Sequence, residues 1–221
     1  YTDSNGFKIR GDFRVDQPNT GTEVWEVNTN KTISWTTTGT INYVDMLYST
    51  DNFVSNIWTI VTNTANSGTY SWVVPDQVSD SVKVRVRDTS DPSLVYDDSD
   101  NNFKIMARLQ VTKPVSTDKW QVGETYQIKW KSWGTIPAVK LDYSTAAPFT
   151  IWKPITATYV NNASSDGLVE GLYAWTIPND MSETVLVRVA DTRYPSLVYA
   201  DSAQFKVKGA IRINSPVLND V

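Results

Sequence analysis

Residues 81–88 read SVKVRVRD, and residues 184–191 read TVLVRVAD. In both stretches valines take every second position, Val82, Val84 and Val86 in one and Val185, Val187 and Val189 in the other. A period of two belongs to a β-strand, because successive Cβ atoms point to opposite faces, so the valines line a core while Arg85 and Arg188 look outward. Both copies run on to Asp88 or Asp191, and then to Pro92-Ser93-Leu94-Val95-Tyr96 or Pro195-Ser196-Leu197-Val198-Tyr199.

Working outward from this pair, the match continues in order. Trp25, Trp35, Gly39, Tyr48-Ser49, Trp58, Tyr70, Trp72 and Pro75 answer to Trp120, Trp130, Gly134, Tyr143-Ser144, Trp152, Tyr173, Trp175 and Pro178. The period is about one hundred residues, the size of a whole domain rather than of a solenoid turn. Spacing drifts most between Trp152 and Tyr173, where Asn161 to Gly171 forms a longer connection, and a tolerated insertion marks a surface loop. Partial copies occupy the ends: Tyr1 with Asp3-Ser4 and Phe7-Lys8-Ile9 answers to Tyr96 with Asp98-Ser99 and Phe103-Lys104-Ile105. The expected division is therefore 1–12 as the last strand of a preceding repeat, 13–107 and 108–209 as two domains, and 210–221 as the start of a following repeat.

Alternation persists in Phe13-Val15, Trp25-Val27, Ile33-Trp35, Val44-Met46-Tyr48, Trp58-Ile60, Tyr70-Trp72 and Phe103-Ile105. Seven or eight short strands per unit, separated by turns such as Asn66-Ser67-Gly68, predict an all-β fold of two tandem immunoglobulin-like or fibronectin-III-like sandwiches. Trp35 and Trp130 are expected at the core centres, with Ile33 and Ile128 two residues before them. Nine Trp and eleven Tyr supply apolar bulk, and domains of this size need no disulfide, which suits a chain without Cys.

The order of first-strand Pro, W-x-V, I-x-W, V-x-x-x-YS, Y-x-W-x-x-P and V-R-V-x-D resembles the Ig-like repeat of the Ser/Thr-rich, GPI-anchored fungal cell-wall family and its bacterial relatives in secreted and surface-layer proteins. The resemblance covers both full units. It implies an extracellular, cell-surface segment that acts as a rod, spacer or lattice subunit; the alternative is a carbohydrate-binding or accessory module of a secreted polysaccharide-active enzyme. Junctions are short, Phe103 running to Val111 with one small residue, Ala107, at its middle where the other junctions carry Gly11 and Gly209. That leaves little chain for a flexible linker and predicts a stiff array.

Chemistry is sparse. With no His and no Cys, the commonest general base, the thiolate nucleophile and His- or Cys-based zinc sites are removed, so no enzyme is expected. A net charge of −4 provides no basic field for nucleic acid, and no apolar run is long enough to span a membrane. Expected partners are neighbouring repeats or further copies of the chain, and cell-surface polysaccharide.

One acidic constellation offers hard oxygen ligands: Asp88, Asp91, Asp98 and Asp100, with Asp97 among them, as candidates for calcium. The second copy keeps Asp191 and Asp201 but has Ala200 and Ala203 in place of Asp97 and Asp100. The competing expectation is that Asp88 and Asp191 pair with Arg85, Arg87 or Arg188, or cap turns. Trp133, Phe53, Phe149 and Tyr194 have no counterpart in the match and are the candidates for an exposed sugar-facing site, the alternative being that each covers a loop or junction. Asn30 and Asn162 begin N-x-S/T patterns, candidates for glycosylation.

Overall fold

A computed structural model describes residues 9–211. The chain divides between Met106 and Ala107 into two compact units, each all-β, with no helix among the described residues. Apart from 9–12 and 210–211, the end segments expected to belong to neighbouring repeats lie outside the described residues.

Unit 1 holds β1 (Asp12–Gln17), β2 (Val24–Glu26), β3 (Asn30–Thr38), β4 (Tyr43–Ser49), β5 (Ile57–Ala65), β6 (Thr69–Val73), β7 (Ser79–Asp88), β8 (Tyr96–Asp98) and β9 (Phe103–Met106). Unit 2 repeats them as β10 (Arg108–Lys113), β11 (Lys119–Gln121), β12 (Thr125–Trp133), β13 (Ala138–Ser144), β14 (Lys153–Val160), β15 (Gly171–Thr176), β16 (Ser182–Asp191), β17 (Tyr199–Asp201) and β18 (Phe205–Lys208). A three-stranded sheet, β1-β3-β6, faces a six-stranded one, β2-β9-β7-β4-β5 with β8 also on β7; unit 2 has the corresponding pair. This is the immunoglobulin-like sandwich the alternation predicts.

The nine strands exceed the expected seven or eight for a local reason. Pro18 and Pro114, both after cis peptide bonds, have no N–H to continue the ladder. The first strand therefore leaves the small sheet there and resumes on the large one, where β2 pairs parallel with β9 and β11 with β18.

The cores are superimposable in their chemistry. Trp25 meets Phe103 at 4.8 Å and Trp72 at 6.0 Å between ring centroids, and Trp120 meets Phe205 at 4.8 Å and Trp175 at 6.1 Å. Such edge and tilted contacts add to burial because ring edges carry positive and ring faces negative potential. Trp35 and Trp130 are buried as expected, as are Ile33 and Ile128. A buried indole N–H needs an acceptor, and both have one: Trp35 Nε1 donates to Asn66 Oδ1 at 2.7 Å, Trp130 Nε1 to Asn161 Oδ1 at 2.9 Å.

The sequence alignment needs one correction. Trp58 lies opposite Tyr48 and stacks on it at 5.1 Å, but the residue opposite Tyr143 is Lys153, not Trp152. A slip of one residue along a strand exchanges the two faces. Trp152 accordingly stands on the outer face, above Arg188.

Candidate functional site

The outer face of the large sheet carries the repeated polar chemistry. Arg85 Nε and Nη2 donate to the two oxygens of Asp98 at 2.6 and 2.8 Å, and the guanidinium lies 4.1 Å from the Phe53 ring and 4.3 Å from the Tyr96 ring. Arg188 repeats this with Asp201 at 2.6 and 2.8 Å, and with Trp152 and Tyr199 each at 4.1 Å. The planar fork of arginine fits a carboxylate edge-on while its faces stack on rings. Hydrogen bonding to Asp98 raises the already high pKa of Arg85, and bonding to Asp201 does the same for Arg188. These cations sit on β7 and β16, central strands with neighbours on both sides; they fasten a sheet face and do not guard an edge.

Each acid proposed for calcium has its own partner. Asp88 Oδ1 accepts from the Ser90 N–H at 2.8 Å and its hydroxyl at 2.7 Å, and Asp91 accepts from Arg10 Nε at 3.1 Å. Asp98 belongs to Arg85, and Asp100 accepts from Asn19 Nδ2 at 2.9 Å. Asp97 accepts from the Val15 N–H at 2.7 Å; burial raises its pKa, the Val15 donor opposes this, and the charges of Asp100, Asp98 and Asp12 add to the rise. Among the described residues no three metal-ligating side chains converge. The turn-capping expectation describes both Asp88 and Asp191, whose Oδ1 accepts from the Arg193 N–H at 2.9 Å, and Asp191 also pairs with the Arg193 guanidinium at 2.8 Å rather than with Arg188.

Phe53 and Phe149 prove to be counterparts, both left-handed at φ 59° in the turn after β4 or β13. The count from Tyr48 and Tyr143 differs by one residue, which hid the match. Arg85 covers Phe53, and the Arg108 guanidinium lies 3.5 Å from the Trp133 ring. Trp133 also packs against Gly167 of the inserted loop so closely that a Cβ there would lie 2.5 Å from its Cε2. Tyr194 has Arg193 at 5.6 Å.

Asn30 is an exposed residue of β3, paired with Val73 of β6. Asn162 is exposed too, but its amide accepts from the Leu172 N–H at 2.9 Å and donates to the Leu172 carbonyl at 3.3 Å, continuing a ladder with its side chain.

A further concave site in unit 1 was not singled out by sequence. A cavity of about 370 Å³ opens between the β3–β4 and β7–β8 turns, lined by Thr40, Ile41, Tyr43, Asn63, Asp88 and Ser90 among others. The buried Asp45 orders two of its lining residues: Oδ1 accepts from the Asn63 N–H at 3.0 Å and the Thr89 hydroxyl at 3.3 Å, and Oδ2 from Arg87 Nε at 3.2 Å.

No protein-family model and no curated protein matches the chain. Among solved structures, similar chains include fibronectin(III)-like modules of CbhA from Clostridium thermocellum, 16% identical over 90% of this chain and 94% of that one, TM-score 0.28. An I-band fragment of titin is 8% identical over 90% of this chain and 66% of the other, TM-score 0.36. The N-terminal four Ig domains of Dscam1 isoform 6.44 are 10% identical over 94% of this chain, TM-score 0.40, and this chain spans 48% of their length. No described helix is long and apolar enough to cross a membrane.

Proposed function

We propose that this chain is a non-catalytic spacer segment of an extracellular repeat protein, of surface-layer or adhesin-stalk type, whose partners are neighbouring repeats and cell-surface polymer. The observation supporting this is the arginine staple, built twice from the same residue types: Arg85 with Asp98 and Tyr96, Arg188 with Asp201 and Tyr199. What the two units hold in common beyond their cores is reinforcement of a sheet face. The short passage through Ala107 accords with a spacer, since it leaves few residues free to swivel.

Small-angle scattering of the whole chain tests the reading. A single elongated particle with a narrow distribution of interdomain distances is expected, unchanged by a chelator, because Ser90, Arg10, Arg85 and Asn19 already occupy the acids of the β7–β9 region. A broad distribution of distances would remove the spacer reading.

A further inference from the structure

The turn after β7 reads Asp88-Thr89-Ser90-Asp91 in unit 1, and the turn after β16 reads Asp191-Thr192-Arg193-Tyr194 in unit 2. Arg193 folds back on its own domain. Its Nε and Nη2 donate to the two oxygens of Asp191 at 3.2 and 2.8 Å, and Nη2 also donates to the Thr135 carbonyl at 2.7 Å. Asp191 is fully buried, and a carboxylate is kept charged in such a place by a hydrogen-bonded cation.

In unit 1 the counterpart of Arg193 is Ser90, too short to repeat this arrangement. It donates to Asp88 Oδ1 through its N–H and hydroxyl, and the 370 Å³ cavity lies beside it. Thr40, the counterpart of Thr135, also lines that cavity. The frame that holds a guanidinium in unit 2 thus surrounds an open space in unit 1. Two differences fit the space for a visitor. Tyr43, 54% exposed, stands where unit 2 has Ala138 and offers a ring face to a cation. Asp45 fixes Asn63 and Thr89 in the wall, so little ordering is left for binding to accomplish. The other charges around the cavity are paired: Asp45 with Arg87 at 3.1 Å behind the wall, and Arg10 with Asp91 at 3.1 Å, these two lining an adjoining cavity of about 230 Å³.

We infer that the cavity of unit 1 is a receptor site for an arginine side chain presented by a partner polypeptide. The guanidinium bonds to the Asp88 carboxylate and the Thr40 carbonyl, and the aliphatic stem lies along Ile41 and Tyr43. A lysine, a point charge without the planar fork, fits the same frame less well. Asp88 leaves the charge count of the site at minus one, matching one cation.

The test is an NMR titration of the isotopically labelled full chain with N-acetyl-arginine-methylamide, the lysine analogue and cellobiose. Saturable shifts are expected at Tyr43, Thr89 and Ser90 with the arginine probe, at least about threefold weaker binding of the lysine probe, and none with cellobiose. Asp88→Asn is expected to weaken binding by about tenfold or more, the scale of a lost charge-assisted bond. Ser90→Arg supplies the plug from within and abolishes binding while preserving the fold. Arg193→Ser opens the counterpart and adds a second set of saturable shifts around Thr135. No saturable shift in the native chain, equal binding by Asp88→Asn and Ser90→Arg, or cellobiose giving the same shifts in place of arginine would each overturn the assignment.

Discussion

Unit 1 and unit 2 are built on one frame and carry opposite charge. Residues 1–106 contain eight Lys and Arg against fourteen Asp and Glu, whereas residues 107–221 contain twelve against ten. The contrast is visible on the outer face of the small sheet. In unit 1 Asp12, Arg14 and Gln17 lie opposite Thr38, Thr36 and Ser34; in unit 2 Arg108, Gln110 and Lys113 lie opposite Trp133, Lys131 and Lys129. Lys113 and Lys129 are like charges in direct cross-strand register, which destabilises a sheet unless relieved. Asp118 at 3.2 Å from Lys113 and Glu170 at 3.8 Å from Lys129 provide that relief. The lesson is that the central Trp–Phe–Trp cluster and the indole hydrogen bonds keep their residue types, while a solvated sheet face tolerates the gain of several positive charges.

The largest effect that could break this equivalence lies in the cores. Trp35→Ala and Trp130→Ala are each expected to cost roughly 3–5 kcal/mol, the range for truncating a large buried aromatic. Denaturant titration of both variants checks it, and a loss under about 1 kcal/mol for either would mean that the two indoles do not play the same part.

Next come the glycines opposite those indoles, which should fail for different reasons. A Cβ on Gly171 would lie 2.3 Å from Trp130 Cε2, so Gly171→Ala should cost about 1–3 kcal/mol by overpacking. Gly68 has only a 3.4 Å neighbour but a φ of +77°, so Gly68→Ala should cost about 1–2 kcal/mol by backbone strain. The indole N–H resonance of Trp130 should move in the first variant, and that of Trp35 should stay in place in the second.

The staples should be equal. Arg85→Ala and Arg188→Ala are expected to cost about 1–2 kcal/mol each, since the carboxylate pairs are partly exposed and screened. Double-mutant cycles with Asp98→Ala and Asp201→Ala measure the coupling. A coupling present in one unit and absent in the other would end the comparison on that face.

The smallest effect separates the units by pH. Burial opposes ionisation of Glu23, but the N–H of Thr20, its hydroxyl and the N–H of Asn19 outweigh it and bring the pKa from 4.5 down to about 2. A depressed carboxyl pKa contributes stability above its unfolded value, and that contribution is lost as pH falls from about 4.5 through about 2. Glu23→Gln should flatten the acid limb of unit 1 in a series of denaturant midpoints against pH, leaving unit 2 unchanged.

Strands and core were legible because period two and a repeated Trp each have a single physical reading. Trp58 and Trp152 were paired wrongly because residue identity outweighed counting: Trp58 lies ten residues after Tyr48, Trp152 nine after Tyr143, and that odd difference reverses the face. The staples were half legible. V-R-V and Y-x-D recur in both units, but which carboxylate meets which guanidinium depends on the β7–β8 register, 13 residues apart in the chain. The cavity could have been found by asking what Ser90 lacks that Arg193 has, a question that needs Thr135 and Asp191 in three dimensions.

The parallel pairing of β2 with β9 bears on how the chain responds to tension. The first strand enters and the last strand leaves in the same direction, side by side, joined by bonds such as Lys104 N–H to the Glu23 carbonyl at 2.9 Å and Val27 N–H to the Met106 carbonyl at 3.1 Å. Pulling a unit by its two ends slides these strands lengthwise past one another, so the bonds resist together instead of opening one after another like a zipper. β11 and β18 repeat the arrangement. Under stretch, the endurance of each unit is then set by the rate of crossing that shear barrier rather than by its equilibrium stability.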